Sequence, residues 1–403
     1  MNIHIVFRGP FPYGGVGANR ILSYAKEFAK AHHTVIHCIQ PTKNYPGSHD
    51  NRIVGKYQGV LYFYPSGHTV WPRLNTSYMA KIAFCIIGYF FSMKYIFRYR
   101  RNAVVYLYTR SFFDILIYFL ASRFSGIKLV MERSELPYHL NNNDTILRRL
   151  IIYIYLNAYI SLLYKLFDGL IVETESLLDF YKKYVRHNAK LYILPNTIDF
   201  SRFENVKITY QDITNVKYIA YAGNMSKYDG IDLLIEAFNL LKDKYPDLHL
   251  FLIGRCNEEL FRYYQEKVKS YNLDLKVRFV GQIPNTDVPQ FLISSIALVL
   301  ASPVSIRNTV SLPYKLGEYL ASQRPVIVTG VGTIPKFLTD GLNSFVAEPG
   351  NVLSLYEKLN TCLSLPDEQR IRIGAEGKKI AYQLFDSIKY SNGLLQFIES
   401  LII

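Results

Sequence analysis

The sequence predicts two doubly wound α/β domains. Three observations carry that expectation. The chain has 403 residues, a two-domain length. Two separate runs of short apolar segments alternate with helical ones. Charge divides between the halves: residues 1–205 hold 25 Lys and Arg against 12 Asp and Glu, whereas residues 206–403 hold 21 against 20. A basic half and a neutral half suggest domains with different partners.

The first run opens on Asn2–Phe7 (NIHIVF), a buried strand by its length. A Gly/Pro loop over residues 9–17 follows, then helical spacing from Asn19 to Ala31 and a strand at Thr34–Ile39. This is a βαβ opening. The start of the chain reads as a strand entering a loop, not as a signal peptide. Further strands fall at Val104–Tyr108, Lys128–Met131, Gly169–Glu173 and Lys190–Leu194, with a helix at Phe112–Arg123. The second run has strands at Tyr218–Tyr221, His249–Ile253, Val277–Val280, Ala297–Leu300 and Pro325–Val328. Helices are expected at Ile231–Lys242 and Glu258–Tyr271. The expected division is 1–205 and 206–386, with a linker near Phe200–Asp212 and a cleft between the domains. The last helix, Ser387–Ile403, is expected to pack back on the first domain.

Composition excludes several classes. Half of the residues are hydrophobic and 19% are charged, which excludes a disordered or collagen-like chain. Cys38, Cys85, Cys256 and Cys362 form no CxxC, which argues against a zinc ribbon and fits a reducing compartment. No HExxH or Walker A sequence occurs. Two apolar stretches, Ile82–Met93 and Leu150–Tyr164, lie beside basic residues. Each is shorter than the roughly 20 apolar residues that span a bilayer. They read either as core helices or as helices resting on an anionic membrane surface.

The first loop carries Gly14, Gly15 and Gly17 ahead of a helix, where backbone can approach an anionic ligand. Arg20 takes the sixth position of what would be GxGxxG, and Gln40-Pro41 ends the second strand without a carboxylate for a ribose. A nicotinamide site is therefore not expected. Pro195-Asn196 opens a turn. In Leu312-Pro313-Tyr314-Lys315-Leu316-Gly317-Glu318 a helix starts after Pro313, with Lys315 and Glu318 near one face. Such a carboxylate can accept both hydroxyls of a ribose, and the helix start can hold a diphosphate.

Together these segments resemble a family 4 glycosyltransferase of the GT-B fold, of the kind found in bacterial surface-glycan enzymes. The glycine loop, the hinge Pro195, Asn196, Asp199, Arg202, Phe203, and the series YAGN, GIDLLIEAF, LIG, VRFVGQIP and LPYKLGEYLASQRPVI stand in the family's order over almost the whole chain. The resemblance implies a retaining transfer from a nucleotide sugar, with a UDP-sugar as co-substrate and neither metal nor cofactor. Glu318 matches the second glutamate of the family's ExxxxxxxE pair, while Val310 stands at the first. The sugar-facing role at that end falls to Asn308, Thr309 or backbone near Ser311. The family's two phosphate-neutralising cations are replaced by Asn224 and Asp229, which leaves Lys227, Lys315 and Arg255 as substitutes. The expected donor-binding set is Gly15, Gly17, Asn224, Lys227, Arg255, Ile283, Ser311, Leu312, Lys315 and Glu318. Glu132, Arg133 and Glu135, after a strand of the first domain, are the expected catalytic set. His139 reads as a loop residue.

The expected partners are a nucleotide sugar, a lipid-linked or glycan acceptor and an anionic membrane surface, at the inner face of the cytoplasmic membrane. Two alternatives stay open, a nucleotide-sugar 2-epimerase and a nucleotide-sugar-binding subunit without catalysis. Nucleic-acid binding is not expected, because the basic charge lies among long apolar stretches without a nucleic-acid motif.

Overall fold

The computed structural model describes residues 1–41, 52–71, 77–136, 145–155, 160–305, 308–309 and 312–402. It divides into two compact units, Met1–Pro195 with Ser387–Ile403, and Asn196–Asp386. Each is an α/β unit built on its own sheet.

The first unit has eight strands: β1 (Asn2–Phe7), β2 (His33–Cys38), β3 (Val54–Tyr57), β4 (Val60–Phe63), β5 (Ala103–Tyr108), β6 (Lys128–Arg133), β7 (Gly169–Val172) and β8 (Lys190–Ile193). Their order is β3-β4-β2-β1-β5-β6-β7-β8. All pairings are parallel except the β3–β4 hairpin at one edge. Gln58 and Gly59 both have positive φ in its two-residue turn, the conformation that favours hairpin closure. Helix α1 (Val16–Ala31) and the last helix, Ser387–Ser400, cover one face. Tyr24, Phe28, Leu394 and Ile398 are buried there. Helices α2 (Tyr78–Arg98) and α3 (Phe112–Ser125) belong to the opposite face with Tyr89, Ile96, Ile115 and Tyr118. A nine-residue helix, α4 (Ile146–Ile154), buries none of its side chains.

The second unit has a six-stranded parallel sheet in the order β11-β10-β9-β12-β13-β14. The strands are β9 (Lys217–Ala222), β10 (Leu248–Ile253), β11 (Val277–Gly281), β12 (Ala297–Leu300), β13 (Val326–Thr329) and β14 (Phe345–Ala347). Central strands buried on both faces need continuous apolar side chains, and β12 and β13 are buried at every position.

The division differs from the expected 205/206 boundary. It falls ten residues earlier because the supposed linker is bonded into the second unit. The Asn196 side-chain amide donates to the Leu312 carbonyl at 2.9 Å, and the Ile198 amide donates to Phe385 at 2.7 Å. The two apolar stretches also differ from simple core helices. Helix α2 runs beyond the expected stretch, and its segment Met79–Arg98 is long and apolar enough to cross a membrane by length and composition. Tyr89, Ser92 and Ile96 are nevertheless buried in the first unit, while Ile86, Phe90 and Phe91 are exposed.

Glycines set the strand ends of the second unit. Gly254 has φ +129, and a Cβ there would lie 2.0 Å from the Gly223 carbonyl oxygen. Neither backbone can yield easily, since β9 and β10 are paired along their length. Gly254→Ala is therefore expected to destabilise the protein by at least about 2 kcal/mol. Urea unfolding followed by tryptophan-independent circular dichroism checks this; an unchanged midpoint contradicts it.

Candidate active site

The C-terminal ends of parallel strands are where α/β units place ligands. In the second unit these ends bring together most of the expected donor-binding residues. Gly223 and Asn224 follow β9, and Arg255 follows β10. Their loops touch: the Met225 amide donates to the Arg255 carbonyl at 2.7 Å. The helix Tyr314–Ala321 is pinned above β9 by the Tyr319 hydroxyl, which accepts from the Ala222 amide at 2.6 Å and donates to the Ala222 carbonyl.

That pin sets the position of Lys315. Its ammonium donates to the Tyr221 hydroxyl at 2.6 Å and pairs with Asp229. A Cβ on Gly223 would stand 3.3 Å from Lys315 Nζ, so glycine leaves the lysine its place beside the strand end. Asp229 also accepts from the Ser226 hydroxyl and amide. Burial would raise its carboxyl, but Lys315 and Ser226 outweigh burial and hold it below the ordinary value. Asp229, at a position where the resemblance implies a cation, is thus an anion paired with Lys315.

Glu318, one turn further along the helix, is 9% exposed. It accepts from Arg202 at 2.6 Å, and Arg202 also donates to the Asn285 carbonyl at 3.0 Å. Burial disfavours the guanidinium charge, yet Glu318 reverses the balance and raises the Arg202 pKa. Ile283 packs half-buried against the core of the second unit, and Leu312 is half-buried with its carbonyl taken by Asn196. Asn224, Lys227 and Arg255 are exposed; Lys227 lies over the Tyr228 ring. Asn308 braces two loops by donating to Tyr228 and Pro303, and Thr309 donates to Ser305. Ser311, Val310 and His139 lie outside the described residues.

In the first unit, Glu132, Arg133 and Glu135 line a cavity of about 360 Å³ together with Phe7, Arg8, Tyr108 to Ser111, Ser134, Leu136 and Tyr155. Glu132 was expected to be catalytic. One of its carboxylate oxygens pairs with buried Arg20, and the other accepts from Tyr24 and Tyr106. Arg20 also donates to the Leu194 and Pro195 carbonyls. Glu132 is thus consumed in neutralising a guanidinium that ties α1 to β6 and the end of β8. Arg133 donates to the Tyr164 hydroxyl, and Glu135 pairs with Arg110 at 2.6 Å. Gly15 is exposed with open space at its Cβ position, while Gly17 packs near Tyr108 and Phe7.

Sequence reasoning missed the partners. Arg20 was visible only as a break in a glycine motif, and Asp229 only as a lost cation. Glu173, just after β7, was not singled out. Burial pushes its carboxyl up to about 7; Arg20 opposes the shift, and Glu132 and Glu135 reinforce it. A raised folded pKa gives stability that is present below the unfolded value of 4.5 and lost as pH rises through about 7. Relative to Glu173→Gln, the wild type is expected to lose roughly 3 kcal/mol between pH 4 and pH 8. Parallel stability curves for the two proteins contradict this.

Comparisons with known proteins bear on the domain and the fold. Residues 204–380 match the family described as glycosyl transferases group 1. Mannosylfructose-phosphate synthase of Agrobacterium fabrum is 25% identical over 201 residues, covering 47% of this chain and 43% of that protein. The chain matches about half the length of its curated relatives. The solved structure of Anabaena HepE in complex with UDP-glucose has a TM-score of 0.68 at 15% identity, covering 99% of this chain and all of the other. WaaG, described as a glycosyltransferase involved in lipopolysaccharide biosynthesis, has a TM-score of 0.65 at 15% identity, covering 98% and 99%. Residues 204–380, within the second unit, carry a glycosyl transferases group 1 domain, and the chain as a whole shares the GT-B fold of these solved structures.

Proposed function

We propose that the chain is a retaining glycosyltransferase that moves a sugar from a UDP-sugar to a membrane-presented, lipid-linked glycan. The observation that carries this reading is the helix Tyr314–Ala321 of the group 1 domain. It sets Lys315 at the strand ends and Glu318 one turn away. Glu318 suits the ribose hydroxyls, and Lys315 suits the diphosphate. As the sugar–phosphate bond breaks, negative charge grows on the departing diphosphate, and a cation placed there lowers the barrier. The UDP-glucose named in the HepE structure supports the choice of nucleotide.

The place of work is the inner face of the cytoplasmic membrane, in the synthesis of a surface polysaccharide such as a capsule or lipopolysaccharide O-antigen. The exposed Ile86, Phe90, Phe91, Leu147 and Ile151 support this reading. So do the adjacent Lys94, Arg98, Arg148 and Arg149, because apolar side chains flanked by cations suit an anionic bilayer. The reading of a binding subunit without catalysis draws on the Asp229–Lys315 pair, in which Lys315 is already neutralised. Turnover separates the two: release of UDP from UDP-sugar in the presence of acceptor-bearing membranes is expected only of a transferase.

UDP is expected to raise the melting temperature of the purified protein with EDTA present. Glu318→Gln keeps an oxygen for Arg202 but loses the charge. It is expected to weaken UDP binding by about 1.5–3 kcal/mol, as for a hydrogen bond to a charged group. Equal UDP affinity in the variant contradicts the assignment of Glu318.

A further inference from the structure

The residues that open the second unit, 196–203, are fastened to the helix Tyr314–Ala321 at successive points. The Asn196 side-chain amide donates to the Leu312 carbonyl just ahead of the helix. Ile198 lies against Gly317, where a Cβ would stand 2.7 Å from Ile198 Cγ1; the glycine lets the two segments close. Asp199 then caps the short turn Phe200–Phe203, its carboxylate accepting from the Ser201 amide at 3.2 Å and the Ser201 hydroxyl at 2.6 Å. That turn carries Arg202, whose side chain is 18% exposed. The guanidinium reaches in two directions. One amino group donates to Glu318 Oε1 at 2.6 Å, and the other to the Asn285 carbonyl at 3.0 Å. Asn285 lies in the loop after β11 that also carries Ile283, so one planar fork ties that loop to the carboxylate. Among the described residues Glu318 Oε2 accepts no hydrogen bond.

We propose that Arg202 is a positioning residue that makes the donor site selective for ribonucleotides over 2′-deoxyribonucleotides. The inference deepens the proposed function and rests on its assignment of Glu318 to the ribose. Arg202 holds Oε1, and the pinned carboxylate keeps Oε2 for the 2′-hydroxyl. A glutamate ordered only when the donor arrives would weaken the complex; one already held does not. A 2′-deoxyribose leaves that oxygen desolvated and unpaired, which is how a site built for a hydroxyl rejects the analogue lacking it. Sugars carried on thymidine diphosphate are therefore poor donors, and sugars carried on ribonucleoside diphosphates are favoured.

The test titrates UDP and 2′-deoxy-UDP calorimetrically into the full chain. Wild type is expected to bind UDP at least about tenfold more tightly than 2′-deoxy-UDP. Arg202→Gln is expected to cut that preference to about threefold or less, with 2′-deoxy-UDP affinity within about threefold of wild type. Retained 2′-deoxy-UDP binding also reports that the variant is folded. Arg202→Lys keeps a cation for Glu318 but cannot span Asn285 as well. Its preference is expected to fall between the two, and it decides alone should Arg202→Gln not fold. The wild-type preference kept in the Arg202 variants overturns the proposal. So does an equal loss of affinity for both nucleotides, the mark of a merely structural arginine. If Glu318→Gln loses the preference while the Arg202 variants keep it, the ribose assignment stands and the role of Arg202 falls. Wild type that binds neither nucleotide overturns the donor reading itself, and this inference with it.

Discussion

The ion pair between Lys315 and Asp229 is the interaction on which the candidate donor site depends. It joins the helix Tyr314–Ala321 to the loop that follows β9, and Tyr221 completes the contact from within the strand. The pair is mostly buried, so neither charge can be removed alone without leaving the other desolvated. A diphosphate meeting Lys315 would therefore enter as a competitor of Asp229. This arrangement turns the absence of two cations into a defined electrostatic state, with one lysine already neutralised before the donor arrives.

A second buried pair plays the corresponding part in the first unit. Arg20 and Glu132 lie 112 residues apart in sequence and meet under the ends of β6 and β8. Tyr24 and Tyr106 satisfy the remaining carboxylate oxygen. A buried charge that loses its partner costs several kcal/mol. The pair thus fixes α1 against the sheet and, with it, Gly17 near Tyr108 at the cavity wall. Both units follow one scheme, in which a buried cation–carboxylate pair sets the backbone at the strand ends and glycines let neighbouring loops close.

Strands were the most legible part of the sequence, because a strand buried on both faces must be apolar along its length. Asn2–Phe7 and Ala297–Leu300 were read with the bounds they have. The β3–β4 hairpin was not read, since β3 is a partly exposed edge strand without a continuous apolar run. The boundary was misplaced because Asn196–Phe203 looks like a polar turn, while its bonds to Leu312, Phe385 and Glu318 link residues distant in sequence. For the same reason Lys315 and Glu318 were legible as a motif, but Asp229 and Arg202 were not legible as their partners. Residue type and spacing identify a helix face; they do not say which side chain from another segment will neutralise it.

In the proposed function Lys315 is the cation that meets the diphosphate, and Asp229 competes for it. Calorimetric titration of UDP into wild type and Asp229→Asn tests this most directly. Asp229→Asn is expected to bind UDP several-fold more tightly, because the lysine is released and a repelling carboxylate is removed. Weaker binding in that variant would contradict it, since Asp229 would then be holding Lys315 in place for the donor and not against it.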